Sequence, residues 1–187
     1  IEMVSLKELV PKNIFLTRGI GVSREKLTSF ELALRDAGIA SLNLIEVSSI
    51  LPPNCSFVNK GEGSKSLHPG QIVPVVLARS DSNKVGDLVS SGVGVAVPRE
   101  KSDYGYLSEH HCLGMDDLQM EEYVEDLAGE MLATTYGLEF DPDASWDEKR
   151  ELWSIDNRIV KTKSIVQTGF VKEGHWTTTV AAAVLIL

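Results

Sequence analysis

A single short stretch dictates where this chain must change direction. Residues 44 to 55 read Leu-Ile-Glu-Val-Ser-Ser-Ile-Leu-Pro-Pro-Asn-Cys. The apolar first half suits a strand. Pro52 and Pro53 carry no amide hydrogen, so no ladder continues through them. Pro52 also biases Leu51 towards β or polyproline geometry. The Ser48–Ser49 peptide is therefore expected in extended chain just before a rigid exit, a place where backbone strain can be held.

The remaining elements can be read around that break. Ile14 to Thr17 is a brief apolar run that predicts the first strand, and Gly19, Gly21 and Ser23 predict a loop after it. Thr28-Ser29-Phe30-Glu31 has the form of a capping box, with Leu27 and Leu32 as a hydrophobic staple. A helix is expected from Thr28, burying Phe30, Ala33, Leu34 and Ala37 and closed by Gly38. Gly61, Gly63, Ser64, Lys65 and Ser66 predict a mobile loop up to Pro69-Gly70, without the spacing of a phosphate-binding loop. Ile72 to Ala78 and Val89 to Val97 predict strands joined by Asp81-Ser82-Asn83. Gly92 and Gly94 strip one face of the second, so something should pack close to it.

Tyr104 to Cys112 predicts another strand, closed by Gly114. Asp116 to Tyr136 predicts the longest helix, with Leu118, Met120, Val124, Leu127, Met131 and Leu132 as its buried stripe and seven carboxylates on the solvated side. Trp146 to Trp153 suggests one or two helical turns. Ile165 to Val171 and Trp176 to Leu187 read as a hairpin turned by Glu173-Gly174. Strands dominate with two substantial helices, so the expected fold class is α+β, a mixed or antiparallel sandwich whose helices cover sheet faces.

Composition narrows the functions. With 187 residues, 43% hydrophobic and 24% charged, the chain can bury one core, and a single domain over 1–187 is expected. No uninterrupted apolar run approaches the ~18 residues of a membrane span, and no charged-then-apolar signal segment opens the chain. A soluble, cytoplasmic protein is expected. Cys55 and Cys112 are too few for a disulfide framework and lack metal-binding spacing, which predicts reduced thiols. A net charge of -9 argues against a nucleic-acid partner and favours encounter with cations.

Several separated segments resemble the pyruvoyl-dependent arginine decarboxylases. They are Val-Ser-Ser-Ile-Leu-Pro-Pro (47–53) with Asp-Ala-Gly-Ile-Ala-Ser-Leu-Asn-Leu-Ile (36–45) before it, Val95 to Ser102, Gly105-Tyr106-Leu107-Ser108-Glu109, and Val180-Ala181-Ala182-Ala183. The resemblance covers most of the chain. It implies a four-layer αββα sandwich, a homotrimer with active sites between protomers, and self-cleavage into a β chain (1–48) and an α chain (49–187). It also implies conversion of L-arginine to agmatine and carbon dioxide.

The chemistry follows from Ser49. Its hydroxyl can attack the Ser48 carbonyl if the peptide is distorted and donors receive the oxyanion. Elimination then leaves a dehydroalanine, which hydrolyses to a pyruvoyl group at residue 49. That covalent cofactor would form a Schiff base with the substrate amine, and no metal is expected. Without the resemblance, Ser48 and Ser49 are simply a polar strand end.

The family's processing asparagine falls on Asn43, which could equally be a hydrogen bond at the start of a strand. Its catalytic glutamate falls on Glu109, where a carboxylic acid kept protonated by burial could return a proton after decarboxylation; an outward-facing strand residue is the alternative. On this reading cleavage does not need Glu109. His110, His111 and Cys112 alternate faces and should not share a metal. Glu31 stands where the family places an aspartate that holds the arginine guanidinium. Bidentate pairing remains available to it, but its reach differs, and the capping box competes for the same carboxylate. The rival functional class is a non-processing, oligomeric relative that binds a small cation or serves as a scaffold.

Overall fold

The computed structural model describes residues 9–137 and 159–187. The expected turns at Trp146–Trp153 lie outside them. Two sheets stack face to face. The first contains β1 (Asn13–Ser23), β2 (Asn43–Glu46), β4 (Ser56–Phe57), β5 (Ile72–Ser82) and β9 (Trp176–Ile186), in the order β2-β5-β9-β1-β4. The second contains β3 (Ile50–Leu51), β6 (Leu88–Pro98), β7 (Gly105–Leu113) and β8 (Ile159–Phe170), in the order β3-β7-β6-β8. Most ladders are antiparallel, while β1–β4 and β2–β5 are parallel.

Alternation along the strands sorts the side chains into layers. Ile14, Val76, Ala78, Ala181, Ala183 and Leu185 of the first sheet meet Leu51, Val93, Val95 and Leu107 of the second. The outer face of the first sheet, with Phe15, Val73, Val75, Val180, Ala182 and Val184, is covered by Ala33 and Ala37 of α1 (Lys26–Ala37). The outer face of the second is covered by Met120, Val124, Ala128, Leu132 and Ala133 of α3 (Asp117–Thr135). The expected αββα sandwich is the observed one.

The bare glycine face does what the sequence suggested. A β-carbon on Gly94 would fall 2.0 Å from the Val124 carbonyl oxygen, and one on Gly92 would fall 2.7 Å from Met120 Cγ. Backbone cannot yield as a side-chain tip can. Gly94→Ala is therefore expected to push α3 outwards and to cost about 1–3 kcal/mol, the range for overpacking, measured as a lowered urea midpoint. An unchanged midpoint would mean that α3 slides freely on the sheet.

Other expectations need correction. α1 begins at Lys26, no side chain caps it, and Leu27 is 76% exposed, so neither the capping box nor the staple forms. Packing decides instead. Gly19 and Gly21 let the helix backbone lie directly on β1, and Ser29 turns inward to bond Thr178 Oγ1 at 2.7 Å. Gly38 does close the helix, in the left-handed conformation at φ 76°.

The Gly/Ser stretch is α2 (Lys60–Lys65), not a loop. The Asn59 side chain accepts from the Glu62 amide, and Gly63 lies flat against Phe15, which a β-carbon would approach to 2.4 Å. Asp81 and Ser82 belong to β5, and the turn follows them, with Gly86 at φ 94°. Leu118 lies off the buried stripe of α3 and is 63% exposed, while Asp116 and Gln119 form a true capping box.

β8 and β9 do not form a hairpin. β8 pairs with β6 and β9 with β1 and β5, so the residues around Glu173-Gly174 carry the chain from one sheet to the other. Two apolar runs flanking a turn look the same in sequence whether they share a ladder or face each other across a core.

Candidate active site

The dodecapeptide is not one strand but two, in different sheets. β2 runs parallel to β5, and the last bond on that side is Val47 N–H to the Val75 carbonyl, 3.0 Å. The next ladder begins at the Ser49 carbonyl, which accepts from Leu107 N–H on β7 at 2.8 Å. Ser48 alone bridges the sheets. The chain turns there rather than staying extended, because Ile50 N–H donates to the Ser48 carbonyl at 2.8 Å and closes a three-residue turn about Ser49.

The stop at the proline pair is as expected. Cys55 N–H bonds back to Pro52, and Asn54 takes a left-handed φ of 58°, so the chain reverses immediately after β3.

Ser49 and Glu109 are brought together. The Ser49 hydroxyl donates to Glu109 Oε2 at 2.9 Å. Register explains this. Ile50 lies opposite Tyr106, so Ser49 lies opposite Leu107, and Glu109 is the diagonal neighbour on the same face. A carboxylate on the attacking hydroxyl can take its proton, which gives Glu109 a task before any substrate arrives. Glu109 is exposed in the single chain, contrary to the expected burial, because β7 has here run past buried Leu107 to the open edge of the sandwich.

The other candidates sit elsewhere in the chain. The Asn43 side-chain amide donates to the Gly70 carbonyl at 2.8 Å, pinning the start of β2 rather than reaching the serines. Glu31 pairs with Arg35 one turn along α1, on the outer layer, while Ser49 is tied to the second sheet. His110 packs on Tyr123 of α3 at 4.4 Å between ring centroids. Burial, then the neighbouring His111, lowers its pKa, so the imidazole favours the neutral form. No group of three or more metal-ligating side chains occurs among the described residues. Both thiols are free, and burial pushes Cys55 up to about 11, which keeps it protonated.

Sequence reasoning missed the backbone groups. The amides of Ile50 and Leu107 touch the serine pair, yet no residue type announces them, since any non-proline residue supplies an N–H. Only register reveals them. Ile45 and Val47 lead into the serine pair, Ile50 follows it and Ile72 opens the neighbouring β5; they are 51%, 37%, 37% and 62% exposed, an apolar rim along this edge of the first sheet and its crossing. No described helix is long and apolar enough to cross a membrane.

Comparison with known proteins gives the family. The family model described as "Pyruvoyl-dependent arginine decarboxylase" matches residues 13–187. A protein of Chlorobium limicola named "Probable pyruvoyl-dependent arginine decarboxylase" is 49% identical over 177 residues, covering 95% of this chain and 98% of its own. "Pyruvoyl-dependent arginine decarboxylase 2" of Methanosarcina mazei is 49% identical over 179 residues, with the same coverage. "Pyruvoyl-dependent arginine decarboxylase" of Nitrosopumilus maritimus is 46% identical over 181 residues, covering 96% and 99%. With its serine pair at the sheet crossing and a carboxylate on the second hydroxyl, this chain belongs to the pyruvoyl-dependent arginine decarboxylase family.

Proposed function

We propose that the protein cuts itself between Ser48 and Ser49 and then decarboxylates L-arginine to agmatine and carbon dioxide. The observation that carries this is the Ser49 hydroxyl, 2.9 Å from a carboxylate oxygen and one peptide from a carbonyl held in a tight turn. The residues fit the precursor of a pyruvoyl group. Glu109 takes the hydroxyl proton as Ser49 Oγ attacks the Ser48 carbonyl carbon; the C–N bond breaks and the Ser49 nitrogen receives the proton, leaving an ester. Loss of the Ser49 α-proton expels the Ser48 carboxylate. Water then replaces the nitrogen, which departs as ammonia, and a ketone remains at residue 49.

A pyruvoyl group at residue 49 would supply an electrophilic carbonyl for the substrate amine and a sink for the electrons released with carbon dioxide. The chain's own residues do the rest. Leu107 N–H holds the residue 49 carbonyl in place. Glu109 delivers the proton that replaces the carboxyl group. Asn43 acts as a positioning residue by fixing the Gly70 carbonyl to the start of β2.

Glu31 is the proposed guanidinium partner. α1 covers the outer face of the first sheet while Ser49 is bonded to the second, so a Glu31 brought to each Ser49 by a neighbouring copy fits the proposed homotrimer with sites between protomers. The apolar rim of Ile45, Val47, Ile50 and Ile72 is suited to be covered in the same assembly. Covering it would also bury Glu109. A reduced, cytoplasmic setting accords with the two free thiols.

Mass spectrometry of the purified protein tests the reading. Two fragments are expected, 1–48 and 49–187, the larger beginning with a pyruvoyl group. An intact chain after prolonged incubation would favour the non-processing relative.

Glu31→Ala separates substrate binding from stability. Because Glu31 makes an exposed i,i+4 pair and no cap, its loss should cost no more than ~0.5 kcal/mol of stability. Arginine KM should rise at least ~10-fold, as expected for losing a charged partner. A normal KM would place the guanidinium elsewhere.

A further inference from the structure

We infer that the oxyanion of self-cleavage is received by a main-chain donor, the Ile50 N–H, which the pairing register of β3 leaves free for this purpose. The inference deepens the self-processing reading and rests on it. In an antiparallel ladder, hydrogen-bonded and non-bonded pairs alternate. Ser49 and Leu107 form a bonded pair, through the 2.8 Å bond from Leu107 N–H to the Ser49 carbonyl. Ile50 and Tyr106 are therefore a non-bonded pair, and the Ile50 amide points away from β7. β3 is the edge strand of its sheet, so no further described strand claims that amide.

Its hydrogen bond goes instead to the Ser48 carbonyl, at 2.8 Å. That carbonyl carries the carbon Ser49 Oγ must attack, and its oxygen gains the negative charge as the C–O bond forms. Donors favour the plane of a carbonyl, which leaves its faces open to the hydroxyl. The ladders hold the turn in place from both ends: Val47 N–H is bonded in one sheet and the Ser49 carbonyl in the other, with Ser48 the only residue between them. The side-chain amide that might have served, Asn43, is committed to Gly70. The two amides divide the work. Ile50 N–H serves the making of the cofactor, and Leu107 N–H continues to hold residue 49 afterwards.

The test replaces Ile50 by its α-hydroxy acid, so that an ester oxygen stands where the N–H was and the side chain is unchanged. Cleavage is followed over time in the full-length protein by mass spectrometry, which distinguishes a cut after Ser48 from hydrolysis after residue 49. Folding is checked by circular dichroism. The expected result is a folded variant that cuts after Ser48 ~10²–10³-fold more slowly than wild type, the usual effect of losing one oxyanion donor. Ile50→Pro, which lacks the same N–H, should be slow as well, and carries the test if the ester variant does not fold.

Cleavage at the wild-type rate in either folded variant would overturn the inference while leaving self-processing intact. A wild-type protein that never cuts would overturn both. In slow Ile50→Pro protein, accumulation of an ester that hydroxylamine cleaves after Ser48 would also overturn it, because the acyl shift would then have proceeded without the donor.

Discussion

Ser49→Ala is expected to give a folded chain that stays in one piece and releases no carbon dioxide from arginine. The substitution removes the attacking oxygen and the atom from which the ketone is made, so neither cleavage nor turnover has a route. The structural loss is small. One hydrogen bond to an exposed glutamate disappears, worth about 1 kcal/mol, while the main-chain bonds from Leu107 and Ile50 stay. Denaturing electrophoresis and release of labelled carbon dioxide give the two readouts. Normal decarboxylation by an uncut Ser49→Ala protein would eliminate the pyruvoyl route altogether.

Glu109→Gln carries the second large effect. From sequence alone the residue belongs only to turnover, and cleavage should proceed without it. The 2.9 Å bond from Ser49 changes that expectation, because an amide oxygen can accept the hydroxyl's hydrogen bond but cannot take its proton. Cleavage should be slowed, and turnover per cut chain should fall by ~10²–10⁴-fold, as for loss of a general acid. Measuring both separates the tasks. Cleavage at the normal rate would restrict Glu109 to turnover, and retained turnover per cut chain would point to His111, two residues along the same face of β7, or to water as the proton source.

What the sequence disclosed depended on whether a residue's job is local. Gly38 ends a helix by its own backbone preference, and Gly92 with Gly94 advertises a close approach by lacking side chains. Pro52 and Pro53 stop a strand wherever they stand. Each was legible because the constraint lies within a few residues. The Thr28–Glu31 box failed because capping is worth little against seating Gly19 and Gly21 under a helix, and the Gly/Ser helix was hidden because its support comes from Asn59 and Phe15.

The site divided in the same way. Ser49 and Glu109 were identified as chemistry, but sixty residues separate them and only the β3–β7 register places them in contact. The division of residues 44–51 between two sheets left no trace in composition. Nor did the sheet change between β8 and β9, for a turn signal marks a reversal without naming the next neighbour.

If the 48–49 bond is cut as proposed, the position of β1 decides what becomes of the two pieces. β1 and α1 precede the cut, yet β1 lies between β9 and β4, both of which follow it. Of the short fragment, β1 would thus be held inside the long one as an interior plank while β2 stays paired to β5 at the sheet's edge, so severing the connection would not by itself release it. A cut would change the order of the folding reaction. Before the cut, β1 finds its slot as part of the same molecule; afterwards, a denatured pair must meet from solution, at a rate that depends on concentration. Maturation would therefore act as a ratchet, in which the uncut precursor is the species that folds readily and the finished enzyme persists by slow unfolding rather than by ready return.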